Sequence, residues 1–168
     1  MPVVRVSCPR GALSPAQKRR LAASLTDVVL DAEVDAVTEA GKLVTVIQFL
    51  EAAADDWAVG GELRSAAAEA PNHFIVDVLV LEGLLDPARK TAVHERVTAA
   101  FRDAFGGAGA DPLLPFRVWV LVHDVREGSW GAGGRTVSAL DVAQFIAGDL
   151  DARRRAEIVA ALGDRRTA

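Results

Sequence analysis

The residues best placed to do chemistry stand at the start of the chain, Met1-Pro2-Val3-Val4-Arg5-Val6-Ser7-Cys8. Removal of Met1 leaves Pro2 with a free secondary amine at the head of a short apolar strand. That nitrogen can titrate, take a proton from carbon or attack a carbonyl, whereas an internal proline nitrogen is an amide and does none of these. An α-amino group titrates at about 7.7 to 8.0, near the pH at which a general base works best. Burial penalises the ammonium and lowers that value; in its protonated form the same group is an acid. Chemistry next to a carbonyl also needs a donor for the developing oxyanion, which backbone amides or an arginine supply.

The other polar and aromatic candidates fall into smaller groups. Arg117 is expected on a strand within an apolar run, where it needs a partner: an anion to anchor or an acidic side chain. Trp119 follows it, and reads as core or as pocket wall. Trp57 and Trp130 close a sheet edge or line a pocket, their rings apolar and their N–H polar. His123 and Asp124 are neighbours on a strand and point to opposite faces. His73 and His94 read as solvent-facing, and Cys8 as a small apolar filler. Three scattered histidines and one cysteine offer no metal-ligand spacing. The glycines of Gly106-Gly107-Ala108-Gly109 follow a helix instead of opening one, which is unsuited to cradling phosphate.

The elements that must position these groups come in two copies. An offset of 72 sets Pro2-Val3-Val4-Arg5-Val6 against Phe74-Ile75-Val76-Asp77-Val78, and Ser14-Pro15-Ala16-Gln17-Lys18 against Asp86-Pro87-Ala88-Arg89-Lys90. With one residue more, Glu51 meets Asp124, Trp57 meets Trp130, and Gly60-Gly61 meets Gly133-Gly134. Each copy reads as strand, helix, strand. Val3 to Val6 and Ile75 to Leu81 are β-branched runs. Ser14 and Asp86 are N-caps followed by proline, with Gln17 completing a capping box. Leu21, Leu25, Val28 and Val29, and later Val93, Val97, Ala100 and Phe101, form one apolar stripe per helix. Leu43 to Leu50 and Phe116 to Val122 are the expected second strands, parallel to the first of each unit through a right-handed crossover.

Two units side by side make an α/β chain of two-layer α+β type, a four-stranded mixed sheet with helices on one face. The strands show little alternation, so the uncovered sheet face also reads as apolar and calls for further chains. The expected domain is a single one over 1–168: repeat 1 at 2–63, an alanine-rich linker at 64–72 with room for a helical turn, repeat 2 at 73–137, and a helical tail at 138–168. Phe105 to Pro115 reads as a loop, Arg135 to Val137 as a short strand, and Ser138 to Ala147 and Asp151 to Leu162 as helices. The Arg153-Arg154-Arg155 cluster reads as a solvated face.

Composition excludes several classes. Nineteen basic against 23 acidic residues give a net charge of −4 over 168 residues, with no basic excess for nucleic acid or an anionic membrane. Apolar runs stop well short of the roughly 20 residues of a membrane span, and the start does not read as a signal peptide. With a lone cysteine, the expectation is a cytoplasmic protein.

The Met-Pro start, the duplicated unit and two endings of the form aromatic-x-x-Gly-Gly (Trp57-Ala58-Val59-Gly60-Gly61 and Trp130-Gly131-Ala132-Gly133-Gly134) together resemble the tautomerase superfamily. Its simplest member is 4-oxalocrotonate tautomerase, and its fused branch includes cis-3-chloroacrylic acid dehalogenase. The likeness covers about residues 2 to 137. It implies a tautomerase/MIF-like fold, a homotrimer, no cofactor, a small-molecule carbonyl substrate and Pro2 as the catalytic amine. Phe74 stands at the same place in the second repeat, so one proline site per chain is implied. The active-site aromatic falls on Trp57 and Trp130, and the dehalogenase branch's water-activating glutamate on Asp124. The family's arginines fall on Ala12, Leu84, Val46 and Trp119; Arg10 lies two residues ahead of one of these positions. The dehalogenase branch's arginines fall on Leu81 and Leu84, and its helix histidine has no counterpart near Val29. The resemblance thus implies a tautomerase-type enzyme with a substrate more apolar than dicarboxylates, a hydratase or dehalogenase-like activity, or a non-catalytic ligand-binding or structural protein on the same fold.

Overall fold

A computed structural model describes residues 2–63, 72–107 and 111–163 of the chain. Strand β1 (Val3–Pro9) leads into helix α1 (Pro15–Val34). Ser14 accepts from the Gln17 N–H while the Gln17 side chain accepts from the Ser14 N–H at 2.8 Å, the expected capping box. Asp35 ends α1 in the left-handed region, at φ 57°.

The second strand starts later than the apolar pattern suggests. Glu39–Val44 is a short helix, α2, and β2 is Val46–Ala52. Thr38 decides this by capping: its hydroxyl accepts from the Gly41 N–H at 3.0 Å, and Gly41 lets α2 lie against Leu30 and Ile146, whose side-chain atoms come to about 3 Å of where a Cβ would stand. The strand β3 (Ala58–Val59) and β4 (Glu62–Leu63) make a small hairpin around Gly60-Gly61.

The second half repeats the plan with β5 (Phe74–Leu81), α3 (Pro87–Ala104) capped by Asp86, and β6 (Val118–Val125). A 3-10 turn over Leu114–Arg117 precedes β6, so Phe116 and Arg117 belong to the turn and not to the expected strand. The hairpin β7 (Gly131–Ala132) and β8 (Arg135–Thr136) follows, then α4 (Ala139–Ala147) and α5 (Ala152–Gly163). The linker at 64–72, apart from Asn72, the loop at 108–110 and the tail at 164–168 lie outside the described residues.

The sheet runs β2-β1-β5-β6, with β1 parallel to β2, β5 parallel to β6, and β1 antiparallel to β5. It is the four-stranded mixed sheet with α1 and α3 on one face. Val4, Val6, Cys8, Phe74, Val76, Val78 and Val80 point to the helices and are fully buried with Leu21, Leu25, Val93, Val97 and Phe101.

The opposite face differs from the expected continuous apolar surface. The register lines up Val46, Val3, Leu79 and His123; then Gln48, Arg5, Asp77 and Leu121; then Leu50, Ser7, Ile75 and Trp119. The strands do alternate, and a polar stripe crosses the middle of this face. Arg5 donates to Gln48 at 3.2 Å, and His123 sits 2.7 Å from Asp77. Trp119, expected as core, lies on this face and is 56 % exposed. A strand residue's face follows from parity, and Trp119 is out of phase with the buried Val118.

The tail helices build a second apolar cluster at one end of the sheet, where Leu30, Val34, Leu81 and Leu84 meet Val142, Ile146, Leu150 and Ile158. The arginine run is therefore not a uniformly solvated face. Arg154 is buried, its guanidinium donating to the carbonyl of Glu33 at 2.8 Å and to that of Leu84.

Candidate active site

Pro2 is buried at the root of β1, and its carbonyl accepts the Val46 N–H at 3.1 Å. By strand parity it shares the helix-facing side with Val4 and Val6. The amine end of the chain is thus directed under the sheet's helical layer, at the end where α1 finishes, where β2 begins, and where β5 and β6 finish.

The remaining sequence candidates divide between the two ends of one chain. Arg10, Arg117, Trp119 and Trp57 lie at the far end. Seven residues of β1, roughly 23 Å, separate Pro2 from Arg10, whose N–H bonds the Ala52 carbonyl at 2.8 Å. Arg117 is held by an ion pair with Asp111 and donates to the Asn72 carbonyl at 3.1 Å. Trp119 donates to the Phe116 carbonyl at 3.2 Å and meets His73 edge-on at 6.1 Å. His73, expected in solvent, is half-buried for this reason. Trp57 is half-buried, its indole N–H without a partner among the described residues.

Asp124 and Trp130 lie at the Pro2 end. Asp124 turns to the helix face and pairs with Lys90 at 2.5 Å, and Glu51 pairs with Lys18 at 3.0 Å in the same way. The two repeats thus share a strand-to-helix ion pair at matched positions. Trp130 packs against the second cluster. A groove of about 750 Å³ opens between α2, the β7–β8 hairpin and α4, with Val44, Val137, Val142 and Phe145 as its apolar lining and Arg135 and Asp141 as its charges. Cys8 is buried in the core, where desolvation and, next, the charge of Glu51 push its thiol up to about 11. Among the described residues no group of three His, Cys, Asp or Glu side chains could hold a metal ion, and no helix is long and apolar enough to cross a membrane.

One residue of this end escaped the sequence reading. Glu33, in the last turn of α1, is completely buried, and burial pushes its carboxyl up to about 7 against the pull of the amino terminus and of Arg154. The signal was present: Leu21, Leu25 and Val29 step by four along the sheet-facing stripe, and the next step is Glu33.

A carboxyl raised in the folded state binds a proton that the unfolded chain has already released, so its contribution to stability is complete below about 4.5 and is lost as pH rises toward 7. Urea unfolding should show stability falling by up to about 3 kcal/mol over that window. Glu33→Gln should remove most of the fall. Asp35, held low chiefly by its hydrogen bond from Arg89, acts in the opposite sense and only below its unfolded value.

Residues 2–67 match the family model described as Tautomerase enzyme. No curated protein sequence matches the chain. Native fused 4-OT superposes with a TM-score of 0.62 at 21% identity, over 80% of this chain and 94% of that one. A member of the cis-3-chloroacrylic acid dehalogenase family does so with 0.63 at 16% identity, over 94% and 99%. The macrophage migration inhibitory factor of Toxoplasma gondii gives 0.56 at 17% identity, over 80% and 99%. The first repeat is thus similar to the tautomerase family over residues 2–67. Taken whole, the chain has the tautomerase/MIF-like fold in its fused two-repeat form.

Proposed function

We propose that this protein is a cofactor-independent tautomerase-type enzyme in which the Pro2 amine, freed by loss of Met1, moves a proton on a small carbonyl substrate. The observation that carries this reading is the place of Pro2: buried at the root of β1, on the helix side, at the first residue of the tautomerase match. As a base the amine takes a proton from the carbon next to a carbonyl. As an acid it returns that proton to the same carbon of the enol, or to a carbon of an unsaturated carbonyl compound. The second of these includes hydration, the alternative activity on the same site, for which Asp124 is the candidate carboxylate. A non-catalytic role on this fold predicts no turnover at all.

The substrate is apolar with at most one carboxylate. Ala12 and Leu84, at matched arginine positions, are buried, and Val46 and Trp119 carry no charge. The groove at the Pro2 end has an apolar lining and a single cation, Arg135. Phenylpyruvate enolisation should therefore proceed with a kcat/KM at least about tenfold above that for a dicarboxylate muconate, the difference one unpaired carboxylate makes. Efficient dicarboxylate turnover that is lost in Arg117→Ala would show that a different arginine serves as the clamp. Absence of turnover on any keto-enol substrate would favour the non-catalytic role.

The active assembly is a homotrimer. Val46, Leu50 and Leu121, each 46% exposed, join Trp119 as large apolar side chains on the open sheet face, on either side of the polar stripe, and exposed apolar groups of this kind mark interaction surfaces; fused 4-OT structures of this fold are trimers. Sedimentation should show three chains, and a stable monomer at micromolar concentration would refute the assembly.

A further inference from the structure

Glu33 and Pro2 occupy positions whose counterparts in the second repeat touch. The 72-residue offset that pairs Leu21 with Val93 and Val29 with Phe101 also pairs Pro2 with Phe74 and Glu33 with Phe105. Phe74 and Phe105 meet edge-on, 5.6 Å between ring centres. The first repeat folds the same way, with α1 returning antiparallel over β1, so the matched pair there is a buried carboxyl and the head of the strand. Lengths agree: the 20 residues of α1 span roughly 30 Å, against roughly 23 Å for the seven of β1. A helix of this length returns to the level at which β1 begins. Where the second repeat places two aromatic rings, the first places an acid and an amine.

We propose that Glu33 is the electrostatic partner of the Pro2 amine, its carboxylate stabilising the protonated nitrogen inside the apolar end of the domain. This rests on the reading of Pro2 as the reactive amine. Glu33 acts through that amine, so it is a positioning residue. The positive charge that opposes the effect of burial on Glu33 is that of the Met1 amine, one residue ahead of Pro2; loss of Met1 moves this charge to the Pro2 nitrogen, where by reciprocity Glu33 favours the ammonium. The other charges at this end of the sheet are paired with one another, Asp124 with Lys90 at 2.5 Å and His123 with Asp77 at 2.7 Å. From α5, Arg154 attracts the carboxylate, with Glu157 beside it at 3.1 Å. From α3, Arg89 reaches the end of α1, where it is engaged with the Ala32 carbonyl at 2.9 Å, with Asp35 at 2.8 Å and with Glu157. On α2, Lys42 pairs with Glu39 at the surface, and on α4 the one charge, Asp141, bonds Ser138.

The consequence is a direction for the chemistry. Once Glu33 is ionised, as pH rises past about 7, Pro2 keeps its proton and serves as the acid, delivering it to carbon; the base form appears only above the raised amine value. The test is the titration of the Pro2 nitrogen in full-length, Met1-free protein labelled with 15N-proline, its amine being distinct from the amide nitrogens of the other prolines. Glu33→Gln should lower the amine pKa by about one unit or more, the effect of removing one close opposite charge. The alkaline limb of the rate profile for enol ketonisation should move down by the same amount. A Gln variant, folded by its NMR spectrum, whose amine titrates within about 0.3 units of wild type would overturn the pairing. Should Gln at 33 not fold, Glu33→Asp decides by the same titration: a lower amine pKa supports the pair and an unchanged one removes it. A lowered amine pKa in a protein without tautomerase activity would uphold the pair and reject the enzymatic reading.

Discussion

Protein carrying even one residue ahead of Pro2 should lose proton-transfer activity by about a thousandfold, within the range a positioned acid or base contributes. Acylation turns the secondary amine into an amide, whose nitrogen lone pair is delocalised into the carbonyl and neither accepts nor donates a proton near neutral pH. Pro2→Ala should be milder, about tenfold to a hundredfold in kcat, because a primary amine remains at the same place. Neither change should unfold the chain, since the contact that seats this residue is its own carbonyl, accepting from Val46 at 3.1 Å. No equivalent loss is expected at Phe74, whose nitrogen is internal to the chain. The measurement is phenylpyruvate enolisation with intact mass recorded on each preparation. Full activity in protein that still carries Met1 would show that the amine is not the catalyst, and Asp124 would become the leading candidate for acid or base.

Arg154→Met should destabilise the protein by about 3 kcal/mol or more, measured as a shift of the urea midpoint. Its guanidinium supplies donors to two buried carbonyls, those of Glu33 and Leu84, and also pairs with Glu157 at 3.1 Å. The Glu33 carbonyl belongs to the last turn of α1, where carbonyls have no partner within the helix. A methionine fills much the same space and leaves both oxygens without that donor, at about 1–3 kcal/mol each. Arg153→Met should change stability by less than about 1 kcal/mol, because Arg153 is exposed and its pairs with Asp35 and Glu157 are screened by water. Equal effects from the two substitutions would mean that the buried guanidinium contributes no more than a surface one. Arg154 also ties α5 to the end of α1 that carries Glu33, so its loss should disturb the Pro2 end before the far end of the sheet.

The repeat was legible because it is written in residue types that act locally. Proline after an N-cap starts a helix, β-branched runs form strands, and Gly60-Gly61 and Gly133-Gly134 turn hairpins at positive φ. These preferences depend on a few neighbouring residues, so the order of the main elements, their pairing into two units and the sheet that results follow from the chain alone. The N-terminal proline was legible too, since an amine that depends on its position in the chain needs no tertiary contact to be noticed. Errors came where a local pattern had two solutions. Leu43 and Val44 continue an apolar run into β2, but Thr38 caps a helical turn there, and Leu43 is 87% exposed as a result. Trp119 is apolar and on a strand; whether it faces the helices or the open side of the sheet is a matter of parity, set by Val118 and by the register with β5.

What only the tertiary structure decided is which charged residues leave water. Glu33 continues the stripe of Leu21, Leu25 and Val29, and Arg154 sits four residues from both Leu150 and Ile158; in each case the spacing marks a buried face while the residue type argues against it. Periodicity specifies that a face is turned inward, but a charge is tolerated there only if the opposing surface supplies its partners. Those partners are distant in sequence: Arg154 finds the carbonyls of Glu33 and Leu84, 121 and 70 residues away. Glu33 comes to lie where α1 has returned along β1 toward the start of the chain, and the charge of the amino terminus opposes the effect of burial on its carboxyl.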